Sequence, residues 1–229
     1  NRNQSNKSME KRLKIILFLL LLTSLCFPQE YSTKRIRLYL WALPDAYPEI
    51  KEEVPYQQAK EHIIKLSEFL LTGLTYGWNF TYTPSDKLRN VDEFFECTPL
   101  RTFENDKKNI QYDGAHFGEE KIYYWINFER NTQMEYYYKK FSSTKNPKVK
   151  GLGKGKLSKG FSGLEEAAFN AVKNGVREYY RKIIKNKPKE ITGTLLIRKN
   201  PAIFIDAGNY TVELDFFLET SKIKEYTQF

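Results

Sequence analysis

The stretch KGLGKGKLSKGFSGLEE, residues 150–166, contains five glycines and four lysines and leads directly into an amphipathic segment. After it, apolar residues recur at intervals of three and four, which predicts a helix from Gly163 to about Lys185. Pro188 marks the end of that helix. Because the residues before the glycines are polar, we expect a flexible basic loop that joins the helix to the first half of the chain.

The loop does not match a phosphate-binding motif. A Walker motif needs serine or threonine after Gly155-Lys156, but Leu157 stands there, and no G-x-G-x-x-G spacing occurs either. The start of the helix does match a capping box, in which the Ser162 hydroxyl would accept from the backbone N–H of Glu165. We therefore expect a hinge and a helix cap. The alternative is a loop that binds anions or a partner. Its candidate residues are Lys150, Lys154, Lys156 and Lys159.

Strand and helix patterns alternate on both sides of this loop. Residues 34–43 alternate between apolar and polar side chains, which predicts a half-buried strand, and residues 56–74 carry a helical apolar stripe. A short helix is expected over KLRNVDEFFE, capped by Ser85 or Asp86, and a polar loop over residues 101–118. Further strands are predicted at YGWNFTYTP, KIYYWINFER, ITGTLLIRK, AIFIDA and YTVELDFFLE. Together these elements predict an α+β fold, with helices packed on one face of a mainly antiparallel sheet.

The two halves of the chain, about 34–141 and 161–229, have similar patterns, because each runs from a helix into strands. A gapless comparison pairs FERNTQMEYY, residues 128–137, with FLETSKIKEY, residues 217–226. We interpret residues 27–229 as a single α+β domain of two similar helix-strand-strand halves. The basic Gly-Lys stretch 145–160 is the predicted linker between them.

The N-terminal residues have the pattern of a secretory signal. Residues 1–8 precede Met9 and are interpreted as an upstream segment that is not native. Three basic residues then precede eight apolar residues, Ile15–Leu22, and small residues follow up to Cys26. A membrane span needs about 20 apolar residues, so this segment is too short for one. Residues 9–26 are therefore the predicted signal peptide, and no transmembrane helix is expected to be retained.

Cys26 raises the alternative of acylation, as in a bacterial lipoprotein. That processing favours a small residue before the cysteine, whereas Leu25 stands there; Ser24 and Cys26 fit the small positions of ordinary cleavage. Plain export to the periplasm, or to a place at the outer membrane, is thus favoured over a lipid anchor. After cleavage Cys97 has no cysteine to pair with, and we interpret it as a core residue.

Charge and motif content argue against several functions. Residues 1–26 carry five basic residues and one acidic residue, so the formal net charge falls from +9 to +5 in the remainder. Both signs are interspersed, which is untypical of nucleic-acid binding. The sequence shows no nucleophile elbow, metal-binding spacing or dinucleotide fingerprint. We expect no nucleic acid, no cofactor and no metal, and we favour a binding function over an enzyme.

Three stretches of the sequence, YGWNFTYTPSDK, VREYYRK with IKNKPKEITG, and DFFLETSKIKEYTQF, resemble uncharacterised exported envelope proteins of spirochaetes. The unit EEAAFNAVKNGVREYYRKII, followed by strands, is similar to the helix-plus-sheet domain of outer-membrane lipoproteins associated with flagellar and envelope assembly. This likeness covers the last third of the chain. It implies an assembly or scaffolding role with an envelope protein, flagellar or membrane-associated, and carries over no functional residue.

These observations favour an exported envelope protein that acts as a non-enzymatic structural or assembly partner. Two alternatives stay open. One is an envelope hydrolase that uses paired carboxylates; the other is a ligand-binding module that uses aromatic residues such as Trp41, Trp78 and Trp125. Contact of the basic stretch with an anionic membrane or wall polymer is a weaker expectation. Converging carboxylates would favour the hydrolase, an aromatic-lined groove the ligand binder, and a flat exposed patch the assembly role.

We predict that the exported protein begins at or near Phe27, because the order of charged, apolar and small residues before it fits signal cleavage. Intact-mass measurement of the protein from the host envelope should show the loss of residues 1–26. A mass that retains Ile15–Leu22 would contradict cleavage. A diacylglycerol increment on Cys26 would support the lipoprotein alternative instead.

Overall fold

The structure, a computed structural model, describes residues 34–43, 54–118 and 121–226. The predicted signal peptide, Cys26 and the segment before Met9 lie outside these ranges. All the described residues belong to one compact unit. The helices are α1 (Val54–Thr75), α2 (Thr132–Phe141) and α3 (Phe161–Ile183). The strands are β1 (Arg35–Ala42), β2 (Trp78–Thr83), β3 (Phe94–Pro99), β4 (Gln111–Phe117), β5 (Ile122–Glu129), β6 (Lys148–Lys156), β7 (Glu190–Ile197), β8 (Ala202–Asp206) and β9 (Asn209–Lys224).

The strands form two antiparallel sheets. Sheet A has the order β1-β5-β4, and sheet B has the order β3-β2-β7-β9-β6, with β8 paired to β9. Helix α1 contacts strands of both sheets, and its buried residues, such as Leu70 and Leu71, join one hydrophobic core that extends through both. Helix α3 packs on β6 and β9. The predicted α+β class, with helices packed on antiparallel sheet, is confirmed.

The basic stretch is a strand, not the flexible loop that the sequence predicts. Residues 148–156 form β6, which pairs with β9 from Lys148–Phe217 to Lys156–Asn209. Residues alternate along β6, with Gly151, Gly153 and Gly155 buried and the residues between them exposed. The prediction is wrong because a strand is recognised in a sequence by alternating apolar residues. On β6 most of the buried positions are glycine, which gives no such pattern.

Glycine is required on β6 because helix α3 lies directly against the strand. A Cβ atom built on Gly153 would lie 2.0 Å from the backbone oxygen of Ala167, far inside van der Waals contact. The corresponding atoms on Gly151 and Gly155 would overlap the backbone oxygens of Ala171 and Gly163. The face of α3 that contacts β6 has small residues at every fourth position. They are Gly163, Ala167, Ala171 and Gly175.

Two asparagines of α3 also bind the backbone of β6. The side-chain amide of Asn174 donates to the carbonyl oxygen of Leu152 at 2.8 Å, and that of Asn170 donates to the carbonyl oxygen of Lys154 at 3.1 Å. The two asparagines are four residues apart and therefore share one side of the helix. Small residues and asparagines together fix the register of α3 on the strand.

The start of α3 differs from the predicted capping box. The N-cap is Gly160, and the Ser162 hydroxyl lies inside the first turn, where it donates to the carbonyl oxygen of Lys159 at 2.9 Å. Gly160 has φ +57° and ψ −139°, a backbone conformation that is essentially restricted to glycine. The conformation of Gly160, rather than a serine side chain, turns the chain into the helix.

Two further expectations are corrected in the first half. The predicted helix over KLRNVDEFFE is a single 3₁₀ turn, Lys87–Arg89, followed by strand β3, although Asp86 caps the turn as expected. The predicted polar loop 101–118 contains strand β4. Neither β3 nor β4 has a fully buried residue, and β3 begins with the exposed Phe94. Both strands therefore lack the alternation of buried apolar and exposed polar residues by which a strand is usually recognised.

The parts of the chain before and after residue 145 have similar orders of elements if β6 is counted with the second half, although the first part also contains β3 and α2. In the first half β1 leads to α1 and β2, and the hairpin β4-β5 returns so that β5 pairs with β1. In the second half β6 leads to α3 and β7, and the hairpin β8-β9 returns so that β9 pairs with β6. The aligned decapeptides nevertheless differ in structure, since residues 132–137 begin α2 whereas residues 221–224 continue β9.

A buried arginine ties sheet A to α1. The guanidinium of Arg130, which follows β5, donates through Nη2 to the carbonyl oxygen of Leu74 at 2.8 Å. Cations near the last carbonyls of a helix are favourable, and Leu74 lies in the last turn of α1. Burial lowers the pKa of Arg130 to about 10, so the side chain stays charged at neutral pH.

We predict that Gly153→Ala destabilises the protein by about 3 kcal/mol or more, because the overlap is with backbone that cannot move aside. Leu152→Ala is the matched control. It lies on the same strand with its side chain half-exposed, and should change stability by less than about 1 kcal/mol. Urea unfolding measures both free energies. Equal losses would show that α3 does not lie against β6.

Candidate functional site

The four predicted lysines do not converge on one point. Lys150, Lys154 and Lys156 project from the exposed face of β6, and Lys159 lies in the turn before α3. Three of them contact carboxylates of this chain. The pairs are Lys150–Glu213 at 3.9 Å, Lys154–Asp206 at 2.7 Å and Lys159–Glu166 at 2.7 Å. Anion binding at this row stays a prediction, and the ion pairs would compete with it.

The outward face of sheet A carries a cluster of aromatic rings in contact with a cation. Tyr39 of β1 lies directly opposite Trp125 of β5, with 4.5 Å between the ring centroids. Tyr39 also stacks on Tyr123 at 5.3 Å, with only 12° between the ring planes. The guanidinium of Arg37 lies over the Trp125 ring at 4.0 Å. We call these four residues, with Arg35 and Asn127, the aromatic face.

Strand alternation creates this face. The side chains of Ile36, Leu38 and Leu40 point into the core, so those of Arg35, Arg37 and Tyr39 must point outward. The same alternation on β5 buries Ile126 and Phe128 and turns Trp125 and Asn127 outward. The sequence predicts both strands, and for β1 it also predicts the two faces. What it does not predict is that the two strands pair, and that register brings Tyr39 against Trp125.

A polar depression of about 710 Å³ adjoins the aromatic rings. Within it the Asn127 side-chain amide donates to Asp113 at 2.6 Å, and Arg35 lies 3.8 Å from Glu129. Positively charged side chains and carboxylates therefore both border the aromatic face. The remaining lining residues include Arg37, Lys108, Asn109 and Gln111.

Of the three tryptophans named as candidates, only Trp125 is available to a ligand. Trp78 is 2% exposed, packed against Phe69 at 4.7 Å between ring centroids. Trp41 is 8% exposed, and its indole N–H donates to the carbonyl oxygen of Ile203 at 3.3 Å. Trp125 keeps 36% of its surface exposed.

A second cavity, of about 440 Å³, lies where the C-terminal end of α3 meets β2. Its lining includes one carboxylate, Glu93, which accepts a hydrogen bond from the Tyr82 hydroxyl at 3.1 Å. Arg177 lies 3.6 Å from the same carboxylate. Burial raises the pKa of Tyr82, with Glu93 adding to the effect, and burial raises the pKa of Tyr180 to about 12. Both phenols thus stay protonated at neutral pH.

The second cavity offers little to the hydrolase hypothesis. Paired-carboxylate hydrolysis needs two carboxyl groups across one bond, and Glu93 is held by cations and a phenol instead. In the ranges that the structure describes, no group of three or more His, Cys, Asp or Glu side chains is arranged to hold a metal ion. Across those same ranges, no helix combines the length and apolar character needed to cross a membrane.

Cys97 of β3 packs against the core and lies directly opposite Phe80 of β2. Burial raises the pKa of its thiol to about 12, so the reactive thiolate is scarce at neutral pH.

We predict that native Cys97 reacts with iodoacetamide very slowly. At about pH 8, a pKa of about 12 in place of 9.0 lowers the thiolate fraction roughly 1,000-fold. The rate should therefore rise with pH across the whole range in which the protein stays folded. The same protein unfolded in urea is the control. Equal rates in the folded and unfolded states would contradict burial of the thiol.

Comparison with known proteins places the chain in a family. No solved structure matches it. A protein of Treponema pallidum (strain Nichols), named "Uncharacterized protein", is 28% identical over 195 residues, which cover 84% of this chain and 82% of the relative. A family model matches residues 24–226, nearly the whole chain. The chain therefore belongs to that family, an uncharacterised protein family of spirochaetes.

Proposed function

We propose that this protein is exported to the cell envelope and acts there without catalysis, as a structural or assembly partner of another envelope protein. The binding surface is the aromatic face of sheet A. The signal-like order of residues 9–26 supports export. The observation that carries the binding role is the exposed Tyr39–Trp125 pair beneath the guanidinium of Arg37.

The residue types of the aromatic face favour a protein partner. Tryptophan, tyrosine and arginine are the residues that most often dominate binding energy at protein interfaces. Tyr39 is 46% exposed and Trp125 36%, so both have apolar surface still to bury. Other rings of the described residues are exposed as well, among them Phe94, Phe117 and Tyr136. Tyr39 and Trp125 differ from single exposed rings because they contact each other and form one joint surface.

The shape of the surface also suits an assembly role. The rings lie on the outward face of a three-stranded sheet rather than inside an enclosed cavity. Beside them the polar depression presents Lys108 and Arg35 together with Asp113 and Glu129. An apolar centre with a polar rim of both charges is the usual anatomy of a protein–protein interface.

The face is also preorganised. Arg37 lies over Trp125 and Tyr39 stacks on Tyr123, and these contacts restrict both side chains before a partner arrives. Immobilising a flexible side chain at an interface costs about 0.5–1.5 kcal/mol. Because these side chains are already ordered by stacking in the folded protein, little of this entropy is lost when a partner binds. More of the free energy gained by burying the rings then contributes to affinity.

A ligand-binding module is the second candidate. The exposed ring of Trp125 lies beside the Asn127–Asp113 hydrogen-bonded pair, and ring faces next to amide and carboxylate groups also suit a polar ligand such as a wall glycan. In that case soluble wall-polymer fragments should quench Trp125 fluorescence, and no cross-linked protein should form in the following experiment.

We predict that a photoreactive benzoylphenylalanine at position 39 forms one discrete cross-linked protein in the envelope of the host. The cross-link should fall at least about tenfold when Trp125→Ala or Arg37→Ala is added, since such residues carry most of an interface's energy. Gel electrophoresis and mass spectrometry identify the product. Trp125 lies on the surface, so thermal unfolding should confirm that the variant stays folded.

The matched control places the same photoreactive residue at Tyr136, an exposed tyrosine of α2 outside sheet A. The cross-linked species should be absent there. Identical products from positions 39 and 136, or a product that survives both face variants, would show that the aromatic face is not the binding surface.

A further inference from the structure

Leu88 is the most exposed large apolar side chain among the described residues, at 97% of its full surface. Single exposed apolar residues are ordinary on soluble proteins, and by itself this one would mean little. Its setting differs, because Leu88 is the centre of the turn Lys87–Arg89, with a cation on each side. We call this segment the KLR turn.

The KLR turn is rigid. The carboxylate of Asp86 accepts the backbone N–H of Leu88 at 3.1 Å and the Arg89 guanidinium at 2.5 Å. The backbone of Asp86 also exchanges two hydrogen bonds with Val91, at 2.8 and 2.9 Å. Asp86 itself is only 4% exposed. The turn therefore holds Leu88 away from the core, where it cannot fold back to bury its side chain.

Further cations surround the turn. Lys185 and Lys187, from the segment after α3, line the same depression as Lys87, Leu88 and Arg89. Lys187 reaches across to the turn and donates to the carbonyl oxygen of Ser85 at 2.7 Å. Among described residues neither Lys87 nor Lys185 forms an ion pair. Two carboxylates share the depression, Asp86, which Arg89 already pairs, and Glu225.

Stabilisation of the helix does not account for all of these charges. Basic residues near the end of α3 interact favourably with its last carbonyl groups, which is sufficient reason for Arg181 and Lys182. Lys87 and Arg89 belong to a different segment, and Lys187 lies beyond the helix. Their position around an exposed leucine needs a separate explanation.

We propose that the KLR turn and residues 185–187 dock on the surface of an anionic phospholipid bilayer, with Leu88 entering the headgroup region. A cationic rim attracts the negative surface, and an apolar side chain between the cations adds burial that a free phosphate ion could not provide. Tyr226, whose ring lies 4.4 Å beneath the Arg89 guanidinium, is a residue type common at that interface. One leucine and one tyrosine are too small an apolar area for a stable protein interface.

The test compares binding of the full chain to sedimented vesicles of pure phosphatidylcholine and of phosphatidylcholine with about one third phosphatidylglycerol, across a salt series. Every variant carries the same N-terminal residues, so the contribution of those residues cancels in the comparison. Leu88→Ala should lower the partition coefficient for anionic vesicles roughly tenfold. Lys87→Gln with Lys185→Gln should lower it about fivefold per charge at low salt, and less at high salt.

Matched controls come from other surfaces. Leu152→Ala changes another exposed leucine that has lysines nearby, and Lys60→Gln with Lys65→Gln removes the same net charge from the exposed face of α1. These variants should retain binding. Equal losses in control and site variants, binding unchanged by Leu88→Ala, or no preference for anionic vesicles would each overturn the proposal. Excess inorganic phosphate should not compete, and strong competition would indicate a simple anion site instead.

Discussion

The close contact between β6 and α3 constrains the rest of the molecule. Three glycines on the strand meet glycine and alanine on the helix, so the two backbones approach until neither can accept a further atom. Ordinary helix-on-sheet packing leaves room for interdigitating side chains. Here the helix position along and above the strand is fixed by backbone atoms, which cannot change rotamer to relieve an overlap.

The position of α3 in turn sets the core of sheet B. Because three of the inner positions of β6 are glycine, α3 also packs against the next strand, β9, where Val212, Leu214 and Phe216 are all fully buried. Gly175 makes room for the Phe216 ring in the same way that the strand glycines make room for the helix. Strand β9 pairs with β7, β7 pairs with β2, and β2 pairs with β3 at the other edge of the sheet.

Sequence patterns predict those elements whose buried face is apolar. Helices α1 and α3 and strands β1, β5 and β7 are recognisable from spacing alone, because Leu, Ile and Val mark their inner faces. Strand β6 is not, since glycine gives no hydrophobic signal; the informative pattern is the match between glycines two apart and small helix residues four apart. The aromatic face depends on the pairing of β1 with β5, which lie about 90 residues apart, and no local pattern contains that register.

A glycine-rich strand at the end of a sheet would ordinarily be a hazard, because its unpaired backbone can template the addition of a strand from another molecule. Among the strands that the structure describes, β6 occupies that position and pairs with β9 alone. The amides of Asn170 and Asn174 already bind two of its carbonyl oxygens, and a row of lysines projects from its exposed face. The glycines that allow the helix to approach so closely thus also bring those asparagines within reach, and the arrangement protects the protein against edge-to-edge aggregation.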